Sequence, residues 1–101
     1  MTKFELAVKV TVDWIKEDLN GYYKDWGITS WSDMLDAFGQ DSKGMQKDIE
    51  YMLLKYTNSQ YDKGNDIDIT LNDYHELEDE EGNFISYRTL TNAVRKELFG
   101  K

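Results

Sequence analysis

Phe4, Val8, Val12, Ile15, Leu19 and Tyr22 recur at steps of three and four residues, while Glu5, Lys9, Asp13, Lys16 and Asn20 fall together on another side. That is the period of a helix, and it predicts a first helix of about five turns closing near Asn20-Gly21. A second apolar set, Leu6, Val10 and Trp14, flanks the main stripe and leaves only a narrow polar face. Such a helix belongs at the centre of a fold or on one side of a dimer contact. A strand through Val8, Val10 and Val12 would require the alternation to continue, and Trp14-Ile15 breaks it.

The segment Tyr22 to Ile28 is too aromatic for a solvated linker and reads as a packed connection between Gly21 and Gly27. Ser30 with Asp33 three residues on is a variant capping box, opening a short second helix through Met34, Leu35 and Phe38 that Gly39 closes. Asp41 or Ser42 caps a third helix, in which Met45, Ile49, Met52, Leu53 and Tyr56 share one face; Asn58 to Asn65 has turn composition. Ile67, Ile69 and Leu71 alternate with polar residues as in a half-buried strand, yet Thr70 followed by Asp73 equally fits the start of a helix running to about Glu80. Glu81-Gly82-Asn83 is a turn on either reading. From Ser86 a last helix places Tyr87, Leu90, Val94 and Leu98 on one face and Arg88, Arg95 and Lys96 outside it. The expectation is a mainly α, compact helical domain of about four helices, with a small β-strand or hairpin near residues 66–85, formed as a single domain over residues 1–101.

Charge changes this picture more than composition does. The chain of 101 residues has 40% hydrophobic and 14% aromatic residues, enough for one core despite 32% charge. Its net charge of -8 is confined to one stretch: from Asp62 to Glu81 there are nine acids and a single base, Lys63, whereas the other 81 residues hold eleven of each sign. An electrically balanced body with one acidic segment favours a basic protein partner and disfavours direct binding to nucleic acid or to an anionic membrane. Cysteine is absent, so disulfides and thiolate metal sites are excluded. No apolar run approaches the length of a membrane span or signal peptide, and a cytosolic location follows as the expectation.

Catalytic constellations are sparse. His75, the only histidine, lies between Tyr74 and Glu76 and reads as a surface or packing residue rather than a general base; no nucleophile elbow accompanies it. One histidine without cysteine does not make a zinc site. The stretch from Asp79 to Ser86 resembles a calcium loop only superficially: with Gly82 at the sixth position, Leu77 stands first and Arg88 twelfth, where acids are needed. Asp33 with Asp41-Ser42-Lys43 is the nearest approach to a magnesium-binding carboxylate set, but the same residues are ordinary helix caps. Glycine-rich phosphate loops are absent. No cofactor is expected. Trp14, Tyr22, Tyr23, Trp26 and Trp31 suit core packing first and a partner contact second.

The acids remain. On a helix, Asp73, Glu76 and Glu80 would lie about 4.5–6 Å apart along the axis, comparable with the roughly 3.4 Å spacing of phosphates on a nucleic acid strand. The competing reading is a solvated, solubilising charge run. In size, acidity, absence of cysteine and absence of catalytic residues the chain resembles the small inhibitor proteins of phages and mobile elements, anti-CRISPR proteins and DNA mimics among them. The resemblance implies a non-enzymatic, stoichiometric inhibitor that docks on the nucleic-acid cleft of a defence nuclease such as Cas9, through Asp66, Asp68, Asp73, Glu76, Glu78, Asp79, Glu80 and Glu81. The alternative is a helical adaptor or homodimer that uses its first helix.

Overall fold

Among the described residues four helices each start at a side chain suited to accept from an orphan backbone N–H. The computed structural model describes residues 2–19, 27–65, 77–78 and 81–100. Helix α1 (Lys3–Asp18) is capped by Thr2, which accepts from Glu5 N at 3.0 Å. Helix α2 (Trp31–Phe38) is capped by Ser30, which accepts from Asp33 N at 3.1 Å. Helix α3 (Ser42–Asp62) begins at Asp41, whose carboxylate accepts from Gly44 N at 2.7 Å. Helix α4 (Tyr87–Phe99) begins at Ser86, whose hydroxyl accepts from Thr89 N at 3.2 Å. Of the two residues competing to cap α3, the carboxylate holds the position; it carries the negative charge that the positive end of a helix favours.

The helix ends are equally local. After α3, Gly64 takes φ +78°, its N–H reaches Tyr61 O at 2.9 Å, and Asn65 N reaches Gln60 O at 2.9 Å. This pair of bonds is a Schellman stop, which satisfies the last carbonyls and needs a residue that tolerates the left-handed region. The stop lies later than the sequence suggests: Asn58 to Asp62 is helical, not a turn. Asn and Ser cost a helix only about 0.5 kcal/mol each against Ala. They are overridden here, and the helix runs on until glycine ends it.

Helix α1 lies at the centre, packed against α4 and α3. Its 16 residues extend about 24 Å at 1.5 Å per residue. The buried face consists of Ala7, Val8, Thr11, Val12 and Ile15, and Leu19 beyond the helix continues it. Met34 of α2, Met45, Ile49 and Leu53 of α3, and Leu90, Val94 and Leu98 of α4 complete one continuous core. Two threonines enter this core without leaving an unpaired hydroxyl: Thr11 Oγ1 donates to Ala7 O at 2.8 Å and Thr91 Oγ1 to Arg88 O at 3.2 Å. Each hydroxyl bonds within its own helix, so the apolar neighbours owe it nothing.

The β element is a two-stranded antiparallel ladder, β1 (Leu77–Glu78) against β2 (Phe84–Ile85), with Leu77 opposite Ile85 and Glu78 opposite Phe84. Leu77 is buried and joins the core, so the ladder is pinned to the helical body by its first residue. The alternating segment from Ile67 to Leu71 lies outside the described residues. A helix continuing to Glu80 is overturned: the backbone is extended at Leu77–Glu78, where pairing with Ile85 and burial of Leu77 outweigh local helix preference.

Candidate functional site

The acidic segment starts on the last helical residue of α3 and ends in the hairpin turn. Asp62 and Lys63 are exposed at that helix end, and no basic residue occupies the last turn. A helix C-terminus carries about half a negative charge, and Lys63 at the C-cap offsets it, so the segment's negative charge comes from its own acids. At the other end Glu81 opens the turn, exposed, and Gly82 follows with φ +82°. The left-handed glycine lets the chain reverse between β1 and β2.

Of the acids proposed as contacts, Glu78 is placed in β1 and Glu81 in the turn. Asp66, Asp68, Asp73, Glu76, Asp79 and Glu80 lie outside the described residues, as does His75. The regular helical stripe of Asp73, Glu76 and Glu80 does not hold, because the extended pair at Leu77–Glu78 falls between its members. One helix axis therefore does not carry these three acids at phosphate-like spacing, while the local concentration of charge is a property of the sequence.

The sequence reading missed the aromatic residues at the two ends of this segment. Tyr61, beside Asp62, is 77% exposed, and Phe84, three residues after Glu81, is 61% exposed. Both borders of the charged segment thus hold a large aromatic side chain in water. A third, Tyr51, stands 64% exposed on α3 with Lys55 5.4 Å from its ring centre. Trp31 and Trp14, by contrast, serve the fold. Trp31 is buried with Arg95 5.4 Å from its ring, and Trp14 packs on Phe38 at 5.5 Å with the planes tilted by 43°. Tyr22, Tyr23 and Trp26 lie outside the described residues.

A small pocket of about 100 Å³ separates the hairpin from the helices, walled by Ile49 and Leu53 of α3, Leu77 and Ile85 of the hairpin and Leu90 of α4. Tyr87 lines it too, and its hydroxyl is buried with no hydrogen-bond partner. Burial pushes this phenol up to about 12, opposed by Arg95 and reinforced by Glu50. Gln46 on the rim donates to Glu50 at 3.1 Å.

No family model matches the chain, and no curated protein or solved structure is significantly similar to it. Asp33 accepts from Thr29 N at 3.2 Å and Asp41 caps Gly44, so both candidate magnesium ligands are engaged in helix starts. Among the described residues no three acidic or histidine side chains gather closely enough to hold a metal ion. Nor is any helix among them long and apolar enough to cross a membrane.

Proposed function

We propose that the protein acts by binding, as a stoichiometric inhibitor whose acidic segment occupies the nucleic-acid-binding cleft of a basic partner, a defence nuclease of the Cas9 kind. The observation that carries the reading is the segment from Asp62 to Glu81, at -8 in an otherwise neutral chain, bordered by the outward-facing rings of Tyr61 and Phe84. Charge steers the encounter with a lysine- and arginine-lined cleft, and the aromatic borders supply the apolar area that long-range charge lacks. Anchoring supports it further. The Schellman stop after α3 and the burial of Leu77 hold both ends of the segment to a rigid body, which lowers the ordering cost of binding.

The test is DNA cleavage by purified Cas9-type nucleases with increasing amounts of the protein. Inhibition reaching completion near one equivalent is expected, and duplex DNA added first should protect the enzyme. A variant with Glu78, Asp79, Glu80 and Glu81 replaced by their amides should lose most of this inhibition and most of its salt dependence. Equal inhibition by the neutralised variant would refute the reading.

A further inference from the structure

Away from the hairpin, α1 and the C-terminal half of α4 enclose a shallow groove of about 510 Å³. Phe4, Val8, Val12 and Ala93 form its floor, and Glu5, Lys9, Asp13 and Lys16 of α1 form one wall. The facing wall carries Lys96 and Glu97, one charge of each sign. All four wall residues of α1 are exposed, and their signs alternate along the helix.

We infer that this groove is a self-association surface, occupied by α1 of a second copy running antiparallel about a two-fold axis beside residues 10 and 11. The charges decide the occupant and its direction. Read antiparallel, Glu5 meets Lys16 of the second copy and Lys9 meets its Asp13, and two-fold symmetry doubles both pairs. Read parallel, a two-fold axis along the helices would set this wall against Lys96 and Glu97 of the second copy, one charge of each sign and no matched series. The two-fold arrangement closes on itself, so it yields a dimer and not a chain. A floor of four apolar residues makes a small interface, below about 1,200 Å² in total, and such interfaces are weak. Dimers are therefore expected to form at about 100 µM and above.

The same spacing also permits pairs within the helix, Glu5 with Lys9 and Lys9 with Asp13 four residues apart and Asp13 with Lys16 three apart. Lys9 and Asp13 do meet within the chain, with Nζ and Oδ2 2.6 Å apart. Glu5 and Lys16, however, are separated by about 16.5 Å along the helix at 1.5 Å per residue. Direct contact between these two side chains therefore requires a second copy. Among the described residues the hairpin does not line the groove, and the inference draws on no residue of the acidic segment, so it is independent of the proposed inhibition.

The experiment is sedimentation over about 10 µM to 1 mM of wild type, Glu5→Lys and the exchange Glu5→Lys/Lys16→Glu, with circular dichroism to confirm folding. Wild type should show a concentration-dependent mass that falls as salt is raised. Glu5→Lys should weaken association at least about tenfold, since two symmetric attractions become repulsions. The exchange should restore it. The helix dipole acts in the opposite sense: it disfavours both substitutions, so the exchanged variant should have the least stable α1 while associating as well as wild type. A wild type that stays monomeric throughout, or an exchange that associates no better than Glu5→Lys, overturns the inference.

Discussion

Replacing Tyr87 by phenylalanine removes one oxygen atom from the wall of the pocket between the hairpin and α3. That oxygen has no solvent exposure to speak of and no partner, so in the folded protein it has lost its water without gaining a hydrogen bond. An unsatisfied buried hydroxyl costs about 1–3 kcal/mol. Phenylalanine keeps the ring and its contacts with the pocket, and forfeits only a few tenths of a kcal/mol of dispersion from the missing atom. The net expectation is a gain of about 1 kcal/mol, equivalent to roughly 4–8 °C in Tm for a domain of this size. Urea and thermal unfolding followed by circular dichroism at neutral pH measure it.

The same substitution has a signature at alkaline pH. The folded phenol titrates near 12, above the ordinary tyrosine value of 10.0, because burial penalises the phenolate. Its folded pKa is raised, so the associated stability is complete below pH 10 and is lost as pH rises through about 12. Wild type should therefore lose stability across that window more steeply than Tyr87→Phe, and an ultraviolet tyrosinate titration should lose its late component in the variant. If Tyr87→Phe is less stable than wild type at neutral pH, the hydroxyl has a partner after all, and the pocket is a polar, hydrated site.

Three further substitutions probe the frame that positions the acidic segment. Asp41→Ala removes the α3 cap and should cost about 1 kcal/mol in denaturant unfolding, with little change in m-value. Leu53→Ala empties a fully buried position between α1 and the hairpin pocket, and a loss of about 2–5 kcal/mol is expected in the same assay. Gly82→Ala meets no steric obstacle, so its whole cost is the positive φ, about 1 kcal/mol, seen as faster amide exchange in the hairpin and an unchanged helical core.

Much of the helical frame is written in short-range chemistry. Ser30, Asp41 and Ser86 announce their helices because a cap acts on N–H groups two or three residues away, and Gly39 ends α2 for the same local reason. The face of α4 is legible because its buried side chains are large: Leu90, Val94 and Leu98 stand out against charged neighbours. Ala7 and Thr11 of α1 are not legible as core residues, because small or hydroxyl side chains carry little hydrophobic signal and their burial comes from tertiary packing. The end of α3 was misplaced because turn-like composition at Asn58 and Ser59 carries far less free energy than the glycine stop beyond.

The site divides along the same line. The segment's charge can be counted from the sequence, as can the turn at Glu81-Gly82-Asn83. A two-residue strand has no periodicity to detect, and what makes Leu77–Glu78 extended is its pairing with Phe84–Ile85 and the burial of Leu77, both non-local. The exposure of Tyr61 and Phe84 is likewise a tertiary fact. Each was an apolar residue like any other until the surrounding elements left it in water.

The central claim is that folding keeps the negative potential concentrated between Asp62 and Glu81. Paramagnetic relaxation of amide protons by a cationic and an anionic nitroxide, compared residue by residue, measures local potential directly. The strongest preference for the cation is expected over residues 62–81, decaying with distance and with added salt on the scale of the Debye length, roughly 10 Å at 0.1 M, with near-neutral values on α1 and a preference for the anion on α4, where Arg88, Arg95 and Lys96 outnumber Glu97. A potential spread evenly over the protein, or cancelled in that segment by its own lysines and arginines, would contradict it.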